Sequence, residues 1–119
     1  MIQAITIEQQ YYEAYLNDTD FIRHYIFPGG CLPTLERMEK ITREKTSLRL
    51  EQCRDITLDY ARTLRDWNRN FQGQKDAIKK LGFDESFLRM WEFYLCYCEG
   101  GFLERSIGTH QVIFSRIGR

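Results

Sequence analysis

The chain has 119 residues, 43% hydrophobic and 29% charged, with 17 basic and 17 acidic side chains that cancel. This fits one globular unit with a modest core and lacks the basic excess of a nucleic-acid binder. No apolar run is long enough to cross a bilayer, and the first residues lack the basic start and apolar centre of a secretory signal, so a cytoplasmic location is expected.

Residues 2–7, Ile-Gln-Ala-Ile-Thr-Ile, alternate and are rich in β-branched types, which predicts a strand. Glu8 to Leu16 has Tyr11, Tyr12 and Tyr15 at helical spacing. Asp18 or Thr19 can cap a short helix bearing Phe21, Ile22, Tyr25 and Ile26. Phe27-Pro-Gly-Gly-Cys-Leu-Pro33 then breaks the regular structure, and Pro33 suits the first turn of the next helix. That helix, about Thr34 to Arg43, has Leu35, Met38 and Ile41 on one side and charges on the other, the charges being read as a solvated face. Thr46 to Cys53 predicts a second strand, with Leu48 and Leu50 inward against Arg49 and Glu51.

Thr57 or Asp55 opens a long helix with a stripe of Tyr60, Thr63, Leu64, Trp67 and Phe71. Helical character runs on through Ile78 and Leu81 to a stop at Gly82. Asp84 caps a third helical segment, within which Trp91-Glu-Phe-Tyr-Leu-Cys-Tyr-Cys-Glu-Gly-Gly-Phe102 packs rings, thiols and a glycine pair. So many costly side chains need a partner to bury them, either the chain's own core or an apolar ligand. Ile107 to Ile117 predicts the last strand. The expected fold is α/β, about three strands with helices and the last two strands antiparallel, resembling one end of a larger sheet.

Cys31, Cys53, Cys96 and Cys98 read as four reduced thiols. Cys96 and Cys98 point to different faces of a helix and should not pair with each other. His24 and His110 are available to a metal, but no C-x-x-C or H-x-x-x-H spacing supports a site, and none is expected.

Four blocks in order resemble the C-terminal part of the cyclopropane-fatty-acyl-phospholipid synthase family. They are Gln3-Ala-Ile-Thr-Ile7, Phe21-Ile-Arg-His-Tyr-Ile-Phe-Pro-Gly-Gly-Cys-Leu-Pro33, Asp59-Tyr-Ala-Arg-Thr-Leu-Arg-Asp-Trp67 and Met90-Trp-Glu-Phe-Tyr-Leu-Cys-Tyr-Cys-Glu-Gly-Gly-Phe102, with His110-Gln-Val-Ile-Phe-Ser-Arg116 as the tail. The resemblance implies a Rossmann-like class I methyltransferase fold. It implies transfer of a one-carbon unit from S-adenosylmethionine to the cis double bond of an unsaturated phospholipid acyl chain, with bicarbonate removing a proton as the ring closes. Residues 1–119 would then form a single unit, the C-terminal segment of that domain without its cofactor-binding half. No glycine-rich strand–turn–helix is present, so no cofactor is expected on this chain alone.

By the same resemblance Tyr60 matches the tyrosine that helps hold bicarbonate, and Cys98 a cysteine close to that site. Trp91, Tyr94 and Phe102 become the wall of an acyl channel. Without the resemblance, Tyr60 and the aromatic stripe read as core, and Cys98 as a small buried hydrophobe. Implied partners are an unsaturated phospholipid acyl chain, the inner face of the membrane by peripheral contact, and either a second copy or the missing enzyme half. A second reading is a non-catalytic, lipid-binding or self-associating module derived from the family. A thiol or zinc protein is a third.

Overall fold

A computed structural model describes residues 1–118. The elements follow as β1 (Ile2–Ile7), α1 (Gln9–Asn17), a π-helical turn (Ile22–Ile26), α2 (Leu35–Lys45), β2 (Leu48–Asp55), α3 (Thr57–Gly73), α4 (Lys75–Lys80), α5 (Glu85–Leu103) and β3 (Ile107–Arg116). The α/β character and the three strands agree with the sequence reading. The strand order is β1-β3-β2, so the last strand in the chain is the middle one, antiparallel to both neighbours. β1, which had no evident partner in sequence, pairs with β3 from Ile2↔Val112 to Ile7↔Ile107.

Directly opposed residues share a face of an antiparallel sheet. Ile5, Ile7, Ile107 and Thr109 therefore point one way, while Thr6, His110 and Val112 point the other. The first face meets α3 and α5, whose Ala61, Leu64, Leu95 and Phe102 form the buried core, with Ile5, Ile107 and Tyr60 packed against it. On the second face Thr6 Oγ1 lies 3.0 Å from His110 Nδ1. That bond satisfies one ring nitrogen of a buried imidazole.

The helix starts follow side-chain capping. Asp84 Oδ1 accepts from the Phe87 amide at 2.9 Å, as expected. Thr34 Oγ1 accepts from the Arg37 amide at 3.1 Å, which places Pro33 before the cap instead of in the first turn. Pro33 instead offers its carbonyl to the Ile7 amide at 3.0 Å, tying the end of β1 to the start of α2. On α2, Leu35 and Met38 are half-buried but Ile41 is exposed, because the helix covers β2 with one short stripe. β2 shifts register between Leu50 and Gln52, so its alternation fails beyond Leu50.

Asp55 joins three parts of the fold. Its Oδ1 accepts from the Thr57 amide at 2.8 Å, and its Oδ2 pairs with Arg105 Nη1 at 3.0 Å. Thr57 Oγ1 in turn accepts from the Thr109 amide at 3.1 Å. The hydrogen bonds to Thr57, with help from Arg105, hold the Asp55 carboxyl down at about 2. A carboxyl depressed on folding stabilises above its unfolded value and loses that contribution as pH falls toward the folded one. Asp55→Asn should therefore cost about 1 kcal/mol at neutral pH, discounted for the exposure of the Arg105 pair. Urea unfolding at pH 7 and at pH 2 should show the gap between the two proteins closing in acid.

Candidate functional site

The helices and β1 enclose an apolar cavity of about 800 Å³. Ile5 and Ile7 of β1 form its floor with Ile107, and Tyr94, Cys98 and Phe102 of α5 form one wall. Tyr11 and Tyr15 of α1, with Ile22, Phe27 and Leu32, line the facing side, and the charged Asp20, Arg23 and Glu104 also border the space. The wall exists because α5 repeats an inward residue at helical spacing, Tyr94, Cys98 and then Phe102, as it returns to the sheet. Phe102 is 0% exposed and Leu95 is buried beside it, so the lower half of α5 is fixed by the core.

The segment between α1 and α2 is fastened over the cavity by polar bonds. The Tyr15 hydroxyl accepts from the Leu32 amide at 2.9 Å. Arg23 lies over the Tyr15 ring at 4.9 Å and donates to the Tyr15 carbonyl at 2.8 Å. The Phe27 amide reaches the Ile22 carbonyl at 2.7 Å, closing the π turn. Gly29 then takes φ +80, a left-handed value that suits glycine, and the Gly30 amide bonds the Phe27 carbonyl at 2.9 Å. The Phe-Pro-Gly-Gly stretch is thus a turn at the cavity edge, since Phe27 and Gly30 both line it.

Of the predicted site residues, Tyr94, Cys98 and Phe102 line the cavity together. Trp91 lies one turn further out, edge-on to Tyr94 with centroids 5.2 Å apart, and does not line it. Tyr60 is also outside the lining; it packs from α3 against Phe102 with centroids 5.1 Å apart. The α1 tyrosines Tyr11 and Tyr15 belong to the cavity, and their helical spacing was the only sign of it in the sequence.

The environment keeps the polar groups on this wall neutral. Burial, then the charge of Asp20, pushes the Cys98 thiol up to about 12. Burial, then the neighbouring Cys98 and Tyr60, pushes the Tyr94 phenol up to about 12. A thiol held protonated is a poor nucleophile, so Cys98 serves as wall and not as an attacking group. Timed labelling with a thiol reagent at pH 8 should modify the exposed Cys31 and Cys96 first and Cys98 last. Equal rates for Cys98 and Cys31 would contradict this.

No strand of the described residues opens onto a glycine-rich turn and helix. Gly29-Gly30 follows the π turn and Gly100-Gly101 lies within α5. The residues present therefore do not fit an S-adenosylmethionine cradle. Among the described residues no cluster of metal-ligating side chains occurs, and no helix is long and apolar enough to cross a membrane.

The three-stranded antiparallel arrangement with its helices is a portion of a methyltransferase fold. It superposes on the cyclopropane synthase MmaA2 from Mycobacterium tuberculosis with a TM-score of 0.82 and 25% identity, over 96% of this chain and 42% of that one. The chain belongs to the mycolic acid cyclopropane synthetase family, whose family model matches residues 1–112. It is 40% identical over 117 residues to the tuberculostearic acid methyltransferase UfaA1 of Mycobacterium tuberculosis, covering 98% of this chain and 27% of that protein. It is 35% identical over 101 residues to the cyclopropane-fatty-acyl-phospholipid synthase of Escherichia coli, covering 85% of this chain and 26% of that protein. The chain thus spans about a quarter of the length of these curated relatives.

Proposed function

We propose that these residues form the substrate side of an S-adenosylmethionine-dependent lipid methyltransferase, acting on the cis double bond of an unsaturated phospholipid acyl chain. The observation that carries this reading is the apolar, ring-lined cavity of about 800 Å³, a size suited to an elongated apolar ligand. The names of the relatives, a cyclopropane-fatty-acyl-phospholipid synthase and a tuberculostearic acid methyltransferase, support the substrate class. The cofactor pocket belongs on sequence this chain does not contain, and residues 1–119 alone are inactive in this reading.

What this chain's residues do follows from their chemistry. The aliphatic floor at Ile5, Ile7 and Ile107 receives the acyl chain and excludes water. The face of Tyr94 stabilises positive charge that develops on the chain, while the neutral Cys98 offers no nucleophile to trap it. By resemblance to the family Tyr60 is assigned to holding bicarbonate together with groups outside this chain; in this chain it packs against Phe102, outside the cavity lining. Peripheral contact with the inner face of the membrane would supply the lipid, and the same cavity would serve a non-catalytic lipid-binding module.

Calorimetry tests this division. The chain should bind a monomeric oleoyl lipid and give no heat with S-adenosylmethionine at micromolar concentration. Cys98→Phe fills the cavity and should weaken lipid binding by about tenfold or more, whereas Tyr60→Phe should leave it unchanged. Micromolar binding of S-adenosylmethionine by the chain alone would contradict the missing pocket, and absence of lipid binding would contradict the acyl site.

A further inference from the structure

A second cavity, of about 310 Å³, adjoins the first and shares Ile7, Tyr11, Tyr15, Asp20 and Tyr97 with it. Its character is different. Tyr11, Tyr15, Phe21 and Tyr97 supply rings, Asp18 and Asp20 supply carboxylates, and no basic side chain lines it. Phe21 and Tyr97 meet edge to face, their planes 71° apart and their centroids 6.4 Å apart, and the Tyr97 hydroxyl donates to Asp20 Oδ1 at 3.3 Å. Asp20 is thus held by a ring of the cavity and not by a cation. Among the described residues neither Asp18 nor Asp20 forms an ion pair.

Arg23 is the complement. It lines the larger cavity, its bonds run to the carbonyls of Tyr15 and Asp18, and among the described residues it too has no carboxylate partner. A guanidinium and two carboxylates within six residues of one another, none neutralised, thus flank two joined apolar cavities. Rings plus a carboxylate are the recognition chemistry of an ammonium group, and a guanidinium is that of a phosphodiester.

We propose that the smaller cavity takes the ammonium end of a zwitterionic phospholipid headgroup, with Asp20 as its counter-ion and the phosphodiester at Arg23. This rests on the acyl-chain reading of the larger cavity and adds the headgroup class, an ethanolamine or choline phosphodiester. The lipid lies with its chain along the α5 wall and its headgroup over the segment between α1 and the π turn. Net-neutral headgroups are selected over anionic ones because an anionic headgroup would leave Asp20 uncompensated beside a second negative charge.

The test is calorimetric titration of the full chain with lauroyl lysophosphatidylethanolamine and lauroyl lysophosphatidylglycerol, both as monomers, and with free phosphoethanolamine. The ethanolamine lipid should bind more tightly than the glycerol lipid by about tenfold or more, the range of one charge-assisted contact. Asp20→Asn should bring the two within about threefold, weakening the ethanolamine lipid and leaving the glycerol lipid's affinity equal or higher, and Asp20→Glu should keep the preference. Equal affinities in the unsubstituted chain, a preference that survives Asp20→Asn, or a loss of affinity for both lipids in that variant would each overturn the proposal while sparing the acyl site. Phosphoethanolamine binding as well as the lysolipid would also overturn it, by assigning the site to a small soluble molecule. Failure of both lipids to bind would remove the acyl reading itself, and this one with it.

Discussion

Burial of Phe102 is the constraint on which the rest of this structure depends. The ring is wholly inaccessible, touches Tyr60 of α3 on one side, and closes the large cavity on the other. Immediately after it the chain must leave a helix and become the central strand of the sheet. It does so in three residues: the Glu104 amide bonds the Gly100 carbonyl at 2.9 Å, and the Ser106 amide bonds the Gly101 carbonyl at 3.1 Å. Arg105 takes φ 56, a left-handed value costing a non-glycine residue roughly 1 kcal/mol, and its ion pair with Asp55 helps to hold it there. At Gly101 a side chain would come within 3.1 Å of Ile107, so the second glycine of the pair lets helix and strand approach. Sheet, helical hairpin and cavity therefore meet at one residue.

Much of this could be read in the sequence, and the successes share a cause. Strand β1, the cap at Asp84, and the ring-rich helix all announce themselves by local pattern. Of Trp91, Tyr94 and Phe102, assigned to one wall by resemblance, Tyr94 and Phe102 line one cavity together with Cys98. The differences arise where distant parts of the chain decide. No local signal says that β3 inserts between β1 and β2, since that depends on pairing residues far apart in the chain, Ile2 with Val112 and Asp55 with His110. Trp67 and Trp91 were placed on inward stripes by periodicity. The α3–α5 hairpin extends beyond the sheet, and so Trp67 is 49% exposed and Trp91 falls outside the cavity. Pro33 was assigned to a helix because its side chain suits a first turn, but the cap at Thr34 took precedence.

The two walls of the cavity come from different kinds of structure, and this bears on function. The α5 wall is regular and anchored in the core. The opposite wall, from Tyr11 through Leu32, is irregular and held by the Tyr15 hydroxyl, the Arg23 guanidinium and a π turn. A rigid apolar wall suits the reacting part of an acyl chain, which must be kept in place and dry. An irregular wall bearing Asp20 and Arg23 suits the part of a lipid that carries charge. Cys98 and Tyr94 are both kept neutral by burial, so the charge lining this region comes from Asp20 and Arg23 on that second wall and from Glu104 just after α5.

The account turns on one claim, that the Tyr94–Phe102 wall contacts an acyl chain. A lysolipid with a photoactivatable diazirine in mid-chain, irradiated in the presence of the protein and mapped by mass spectrometry, tests it most directly. Adducts concentrated on Tyr94, Cys98 and the facing Ile5 and Ile7 are the predicted result. Adducts confined to the outer rings Phe83, Phe87 and Trp91, or spread evenly over the exposed aromatics, would contradict it.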